Sequence, residues 1–145
     1  MAEILLIEDN PGDVLLTREA FKECSQEHNI VSVKDGVEGF KYLKREGSYK
    51  DSIPPDLILL DLNLPRKDGR ELLKEIKEDE DLKMIPVIIL STSKNEMDIE
   101  KCYELNVNCY ITKPVELDNF IEVIKSVETY WIQTAKLPRT IKQLI

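Results

Sequence analysis

Basic character is what this sequence most lacks: 20 lysines and arginines stand against 28 aspartates and glutamates, for a formal charge of −8. Direct nucleic-acid binding relies on a positive footprint, so the expectation is no nucleic-acid partner. An acidic balance suits a chain that meets other proteins, or a cation. Cysteine is scarce too. Cys24, Cys102 and Cys109 are odd in number and show no CxxC spacing, which argues against a disulfide framework or zinc site and for buried small hydrophobes. The single histidine, His28, lies in a polar stretch with no visible partner and reads as a solvated loop residue rather than a catalytic or phosphate-carrying group. No apolar run approaches the roughly 20 residues needed to span a bilayer, and the N-terminus has no basic region followed by a signal-like stretch. A cytoplasmic protein with no membrane partner is expected. Internal repeats and low-complexity segments are missing as well.

What is present is an ordinary globular balance, 42% hydrophobic and 33% charged over 145 residues, enough to bury a core in one domain. The run Asp56–Pro65, DLILLDLNLP, reads as a buried strand of a parallel sheet, apolar on both faces, that ends at the charge of Asp61. Ahead of it, AEILLI at 2–7 ends at Glu8, Asp9 and Asn10. Pro11 and Gly12 break that run, and Asp13 is expected to cap a helix carrying Leu16, Ala20, Phe21 and Cys24. Residues 30–33 form a third short strand, and Asp35-Gly36 turns the chain into a helix with Val37, Phe40 and Leu43 on one face. After Asp61 a helix follows over about 70–79. A strand over 87–90 then ends at Ser91, Thr92 and Ser93, and Ser93 with Glu96 has the spacing of a capping box. That helix should close at Asn106 in the left-handed conformation. A last strand, 109–112, ends at Lys113-Pro114, and the final helix, from about 115, turns Leu117, Phe120, Ile121, Ile124 and Trp131 inward.

Strict alternation of five strands and helices predicts an α/β fold: a doubly wound, flavodoxin-like parallel sheet in the order 2-1-3-4-5. Its switch point places Glu8 and Asp9 beside Asp61. Carboxylates crowded there repel, and a hard divalent ion, Mg²⁺ or Mn²⁺, relieves that repulsion through oxygen ligands. Asp9 and Asp61 would supply carboxylates, Glu8 would act directly or through water, and a backbone carbonyl near Asn63 would complete the set. A phosphoryl group could then sit among the metal, the Ser91 hydroxyl and the Lys113 ammonium, with Asp61 as nucleophile. Taken singly, Ser91 reads more simply as a cap, Lys113 as a surface lysine and Glu8-Asp9 as the start of a loop. Their joint placement at successive strand ends favours chemistry.

The segments ILLIEDN at 4–10, LLDLNLP at 59–65, VIILSTS at 87–93 and YITKP at 110–114 resemble the receiver domain of two-component response regulators, chemotaxis-regulator-like. The resemblance implies that Asp61 accepts a phosphoryl group from a sensor histidine kinase, and that Glu8, Asp9, Asp61 and the Asn63 carbonyl hold the metal. It further implies that Ser91 is the switch hydroxyl, Lys113 the phosphate-binding lysine, Tyr110 an aromatic switch residue and Lys113-Pro114 a cis peptide. The segments DLNLPRKDGRELL, STSK and NCYITKP are similar to stand-alone regulators of phytochrome-type and other PAS or GAF sensor kinases. Serine stands at 91 where many relatives carry threonine, which keeps the hydroxyl.

The receiver is expected over 1–131 and a C-terminal helical extension over 132–145. Ile141, Leu144 and Ile145 would form an amphipathic turn, and the apolar cluster Tyr130, Trp131 and Ile132 suggests a homodimer through the last helix and extension. Not an enzyme is the expectation, beyond self-catalysed phosphoryl acceptance and loss. Two other readings stay open. One is a magnesium phosphatase using Asp61, for which Asn63 stands where a second aspartate is usual. The other is a receiver-like binding module that works without phosphorylation.

Overall fold

Alternation along the strands sets the architecture. In the computed structural model, which describes residues 1–138, the side chains of β1 (Glu3–Ile7) point by turns to the two faces of the sheet. Leu5 and Ile7 join one core; Ile4 and Leu6 join the other. β3 (Leu57–Leu60) divides in the same way, and all four of its side chains are fully buried. A strand apolar on both faces needs helices on both sides, as the sequence predicts.

The strands pair in parallel in the order β2-β1-β3-β4-β5, with β2 at Asn29–Val33, β4 at Val87–Ser91 and β5 at Cys109–Thr112. One face is covered by α1 (Pro11–Lys22) and α5 (Leu117–Val127), through Ala20, Phe21, Phe120 and Ile124. The other is covered by α2 (Gly36–Lys44), α3 (Gly69–Glu78) and α4 (Glu96–Glu104), through Leu43, Leu72, Leu73, Ile76 and Cys102. Each buried Leu or Ile contributes about 1.5–3 kcal/mol relative to exposure.

Some local expectations shift. Asn10, not Asp13, caps α1: its Oδ1 accepts from the N–H groups of Gly12 and Asp13 at 2.8 and 3.2 Å, because Pro11 already occupies the first helical position. Asn95 caps α4 in place of Ser93. Asn106 does take the left-handed conformation, φ 69°. Leu117 is half exposed instead of inward. Beyond α5 the chain winds into a π-helical segment, Glu128–Thr134, in which Trp131 and Ile132 pack on the α1/α5 core while Tyr130 stays exposed. The turn expected around Ile141, Leu144 and Ile145 lies outside the described residues.

His28 departs furthest from expectation. Its ring is fully buried, with Nδ1 accepting from Ala2 N–H at 3.1 Å and Nε2 lying 2.9 Å from Glu128 Oε2. An Nδ1 that accepts places the ring proton on Nε2, so the imidazole donates to Glu128. The partner lies 100 positions along the chain, beyond the reach of any local pattern.

Candidate functional site

The carboxyl edge of the sheet gathers the polar ends of β1, β3, β4 and β5. Glu8 leaves β1 buried, its backbone N–H bonded to Val33 O at 3.1 Å, while the next residue, Asp9, is exposed. Asp61 leaves β3 with its N–H on Ile7 O at 3.0 Å, and its Oδ1 accepts from the Leu62 N–H at 2.8 Å. The turn behind it depends on Gly69. A Cβ there would stand 2.3 Å from Asp61 O and 2.7 Å from Leu62 Cα, so only glycine lets α3 start against the end of β3. Glu8, Asp9 and Asp61 each offer a carboxylate oxygen, all within 4.8 Å of one another. An all-oxygen, anionic donor set of this span suits a hard divalent cation.

Among the described residues, one ammonium, that of Lys113, faces Glu8 and Asp61. Lys113, at the end of β5 and 9% exposed, donates a hydrogen bond to Glu8 Oε1, contacts Asp13 Oδ2 at 3.0 Å, and lies 4.0 Å from Asp61 Oδ2. Burial is the strongest influence on Glu8 and lifts its carboxyl to about 7 against the pull of Lys113. Burial also opposes the Lys113 charge, yet its pKa is raised, because the Glu8 bond, the charges of Asp61 and Glu8 and the Asp13 bond together outweigh it. Ser91, the last residue of β4, is fully buried, and its Oγ accepts from Ser93 N–H at 3.1 Å. Tyr110 on β5 is half-buried, with its hydroxyl donating to Ser93 O at 2.9 Å. Asn63 is exposed in the loop after Asp61.

A model of the response regulator receiver domain matches residues 4–125. This chain belongs to that family. Response regulator Rcp1 of Synechocystis is 46% identical over 93% of this chain and 92% of its own length. The phosphorylated cyanobacterial phytochrome response regulator RcpA superposes with a TM-score of 0.91 at 52% identity, covering 94% of this chain and 98% of its own. The Mn²⁺-bound form of Rcp1 superposes with a TM-score of 0.90 at 45% identity, covering 95% and 99%. A receiver domain is the phosphoryl-accepting element of two-component signalling, and that is the function class of this chain.

In this receiver the fold brings Glu8, Asp9, Asp61 and Lys113 together as the sequence predicts, with Ser91 at the neighbouring strand end. The Lys113–Pro114 peptide is trans, since no cis bond occurs among the described residues, and the cis expectation drawn from the resemblance is corrected. Trans is the default for X–Pro by about 0.5–1 kcal/mol, and cis requires surroundings that select it. Two contributors escaped the sequence reading. Asp13, freed from capping by Asn10, points at Lys113. Asp98, on the first turn of α4, accepts from Ser93 Oγ at 2.7 Å and from the Arg70 guanidinium at 2.7 Å, and these two bonds hold its carboxyl below the usual range. The Asn-Pro pair at 10–11 was the available signal for the first: asparagine before a helix-starting proline claims the cap. Nothing local signals the second.

Proposed function

We propose that Asp61 is the phosphoryl acceptor of this receiver and that its occupancy switches contacts to a partner protein. The observation that carries this is an excess of negative charge around one buried ammonium: Glu8, Asp9 and Asp61 share a span of 4.8 Å, faced by Lys113. Glu8, Asp9, Asp61 and the Asn63 carbonyl would hold Mg²⁺ or Mn²⁺. When bound, the cation neutralises charge on the transferred phosphoryl oxygens.

With Oδ1 held by the Leu62 N–H, Asp61 has Oδ2 on the Lys113 side to attack phosphorus in line. The O–P bond forms as the N–P bond of a kinase phosphohistidine breaks. That electron pair passes to the imidazole nitrogen, and a proton on the ring's other nitrogen leaves a neutral imidazole. A carboxylate nucleophile needs no general base. Lys113 then pairs with a phosphoryl oxygen and the Ser91 hydroxyl donates to another, giving up the Ser93 N–H. Tyr110, tied to Ser93 O, responds to that shift, so the face around it reports the state of the pocket.

The donor is a sensor histidine kinase, and the cyanobacterial phytochrome relatives support a phytochrome-like or PAS/GAF-containing one. Exposed Leu15 on α1, Val115 in the β5–α5 loop and Leu117 at the start of α5 give such a partner apolar surface beside the pocket. Exposed Tyr130 supports a homodimer through α5 and the segment after it. Light scattering over a concentration series tests this, and a monomer in both phosphorylated and free states removes it.

A small acyl phosphate with Mg²⁺ tests the site. Stoichiometric labelling seen by intact mass, lost in Asp61→Asn, is the expected result, and undiminished labelling of Asp61→Asn refutes it. Continued turnover of a phosphate ester favours the phosphatase reading.

A further inference from the structure

We infer that Asp13 is a positioning residue for Lys113, holding the ammonium on the α1 side of the pocket until a phosphoryl group competes it away. The inference rests on the phosphoryl-acceptor reading above. An ammonium has three N–H donors. In this structure Lys113 gives hydrogen bonds to Glu8 and to Asp13, the latter at 3.0 Å, whereas Asp61 Oδ2, at 4.0 Å, is beyond hydrogen-bond reach. The lysine is therefore parked beside the acceptor. Its third N–H can meet a phosphoryl oxygen on Asp61, and the negative charge of that group draws the ammonium toward β3 and weakens its hold on Asp13.

Asp13 is built so that it does not follow. Its backbone N–H is fixed by Asn10 Oδ1 at 3.2 Å, and its carbonyl accepts from Thr17 Oγ1 at 2.8 Å, so the first turn of α1 is pinned from both directions. The Asp13 side chain is 32% exposed, against 3% for Glu8. A cavity of about 240 Å³ lies between α1 and the β5–α5 loop, lined by Asp13, Thr92, Lys113, Pro114, Leu117 and Phe120. A carboxylate that loses Lys113 there turns to water, which keeps the competition modest. Glu8, at 3% exposure, has no water to turn to, so the lysine keeps one of its carboxylate oxygens while the other faces Asp9 and Asp61. The two carboxylates on one ammonium thus have different parts: Glu8 anchors it, and Asp13 sets how readily it is released.

The removal of the Asp13 charge should tighten the hold on a phosphoryl analogue. Beryllofluoride binding, measured by calorimetry in saturating Mg²⁺, should be about threefold to fivefold stronger in Asp13→Asn, the range of one partly exposed ion pair. Asp13→Glu should return it toward the wild type. Glu116→Gln, which removes an exposed negative charge just ahead of α5 and close to Lys113 in sequence, should leave affinity unchanged and so controls for net charge. A second readout needs no metal: nitrogen NMR of the Lys113 ammonium in the metal-free protein should show greater mobility in Asp13→Asn. Because the Asn10 cap uses only the backbone of residue 13, the variant should keep the wild-type circular dichroism, and Asp13→Ser provides a second test of the same contact. Wild-type affinity in Asp13→Asn and Asp13→Ser, or an equal gain in Glu116→Gln, overturns the inference alone. A wild-type protein that binds no beryllofluoride overturns it together with the acceptor reading.

Discussion

Both ends of this sheet bury carboxylates, and they treat them in opposite ways. At the amino edge, Glu128 is 2% exposed, with His28 Nε2 at 2.9 Å from Oε2 and Gln133 donating to Oε1. Asp56, also buried, accepts from Glu3 N–H at 2.9 Å, and Asp79 at the end of α3 takes the Lys44 ammonium at 2.8 Å. Each acid has its own donors. At the carboxyl edge Glu8 and Asp61 share one lysine, which Asp13 also claims, and Asp9 brings a further carboxylate to the same span. A satisfied buried acid ties chain segments together. An acid left short of cations keeps an affinity for one, and the fold is weakened there in exchange for a binding site.

The contrast breaks if substitutions at the two edges behave alike. The largest expected effect is at the amino edge. His28→Leu leaves Glu128 buried without its ring donor and should cost about 3 kcal/mol in urea unfolding. A loss near zero would mean that the pair holds nothing. Next, Mg²⁺ at a hundredfold excess over its Kd should stabilise the wild type by about 2.7 kcal/mol. That gain should shrink in Asp61→Asn, and equal gains in both proteins would move the metal elsewhere. Without metal, Asp61→Asn relieves the crowding and should stabilise the protein by about 1 kcal/mol, opposite in sign to the His28 change. A destabilised Asp61→Asn would erase the distinction between the edges.

The smallest effect is in acid. Burial works against the ionisation of Asp79, but the Lys44 hydrogen bond and the Asp81 and Leu82 backbone N–H groups outweigh it and hold its carboxyl below the usual range. A group whose folded pKa is depressed contributes stability above its unfolded pKa and loses it as pH falls through the lower folded value. This partly exposed pair should therefore contribute about 0.5 kcal/mol at neutral pH, fading in acid. The difference between the wild type and Lys44→Met, followed by urea midpoints across pH, should narrow there and hold constant above the carboxylate range.

The β4–α4 loop shows how a local pattern can be right about the region and wrong about the contact. Ser93 and Glu96 have capping spacing, and a helix does start at Glu96, yet Asn95 takes the cap. Ser93 is drawn off by Asp98, which Arg70 of α3 also holds. That competition is set by a neighbouring helix. Tyr110 falls on the strand expected over 109–112, but its bond to Ser93 O depends on where that loop settled.

Periodicity and punctuation alone determined the alternation of strands and helices and the residues at the strand ends: Glu8, Asp9, Asp61, Ser91 and Lys113. These follow from the chain's own local geometry, because a strand that must bury both faces has one place for its charges, where it leaves the core. Tertiary structure alone decided the pairings. Lys113 divides itself between Glu8 and Asp13, and His28 goes under cover against Glu128. Asp13 and Lys113 are 100 positions apart, as are His28 and Glu128, so the partner that outweighs desolvation becomes visible only when the folded chain brings the two together.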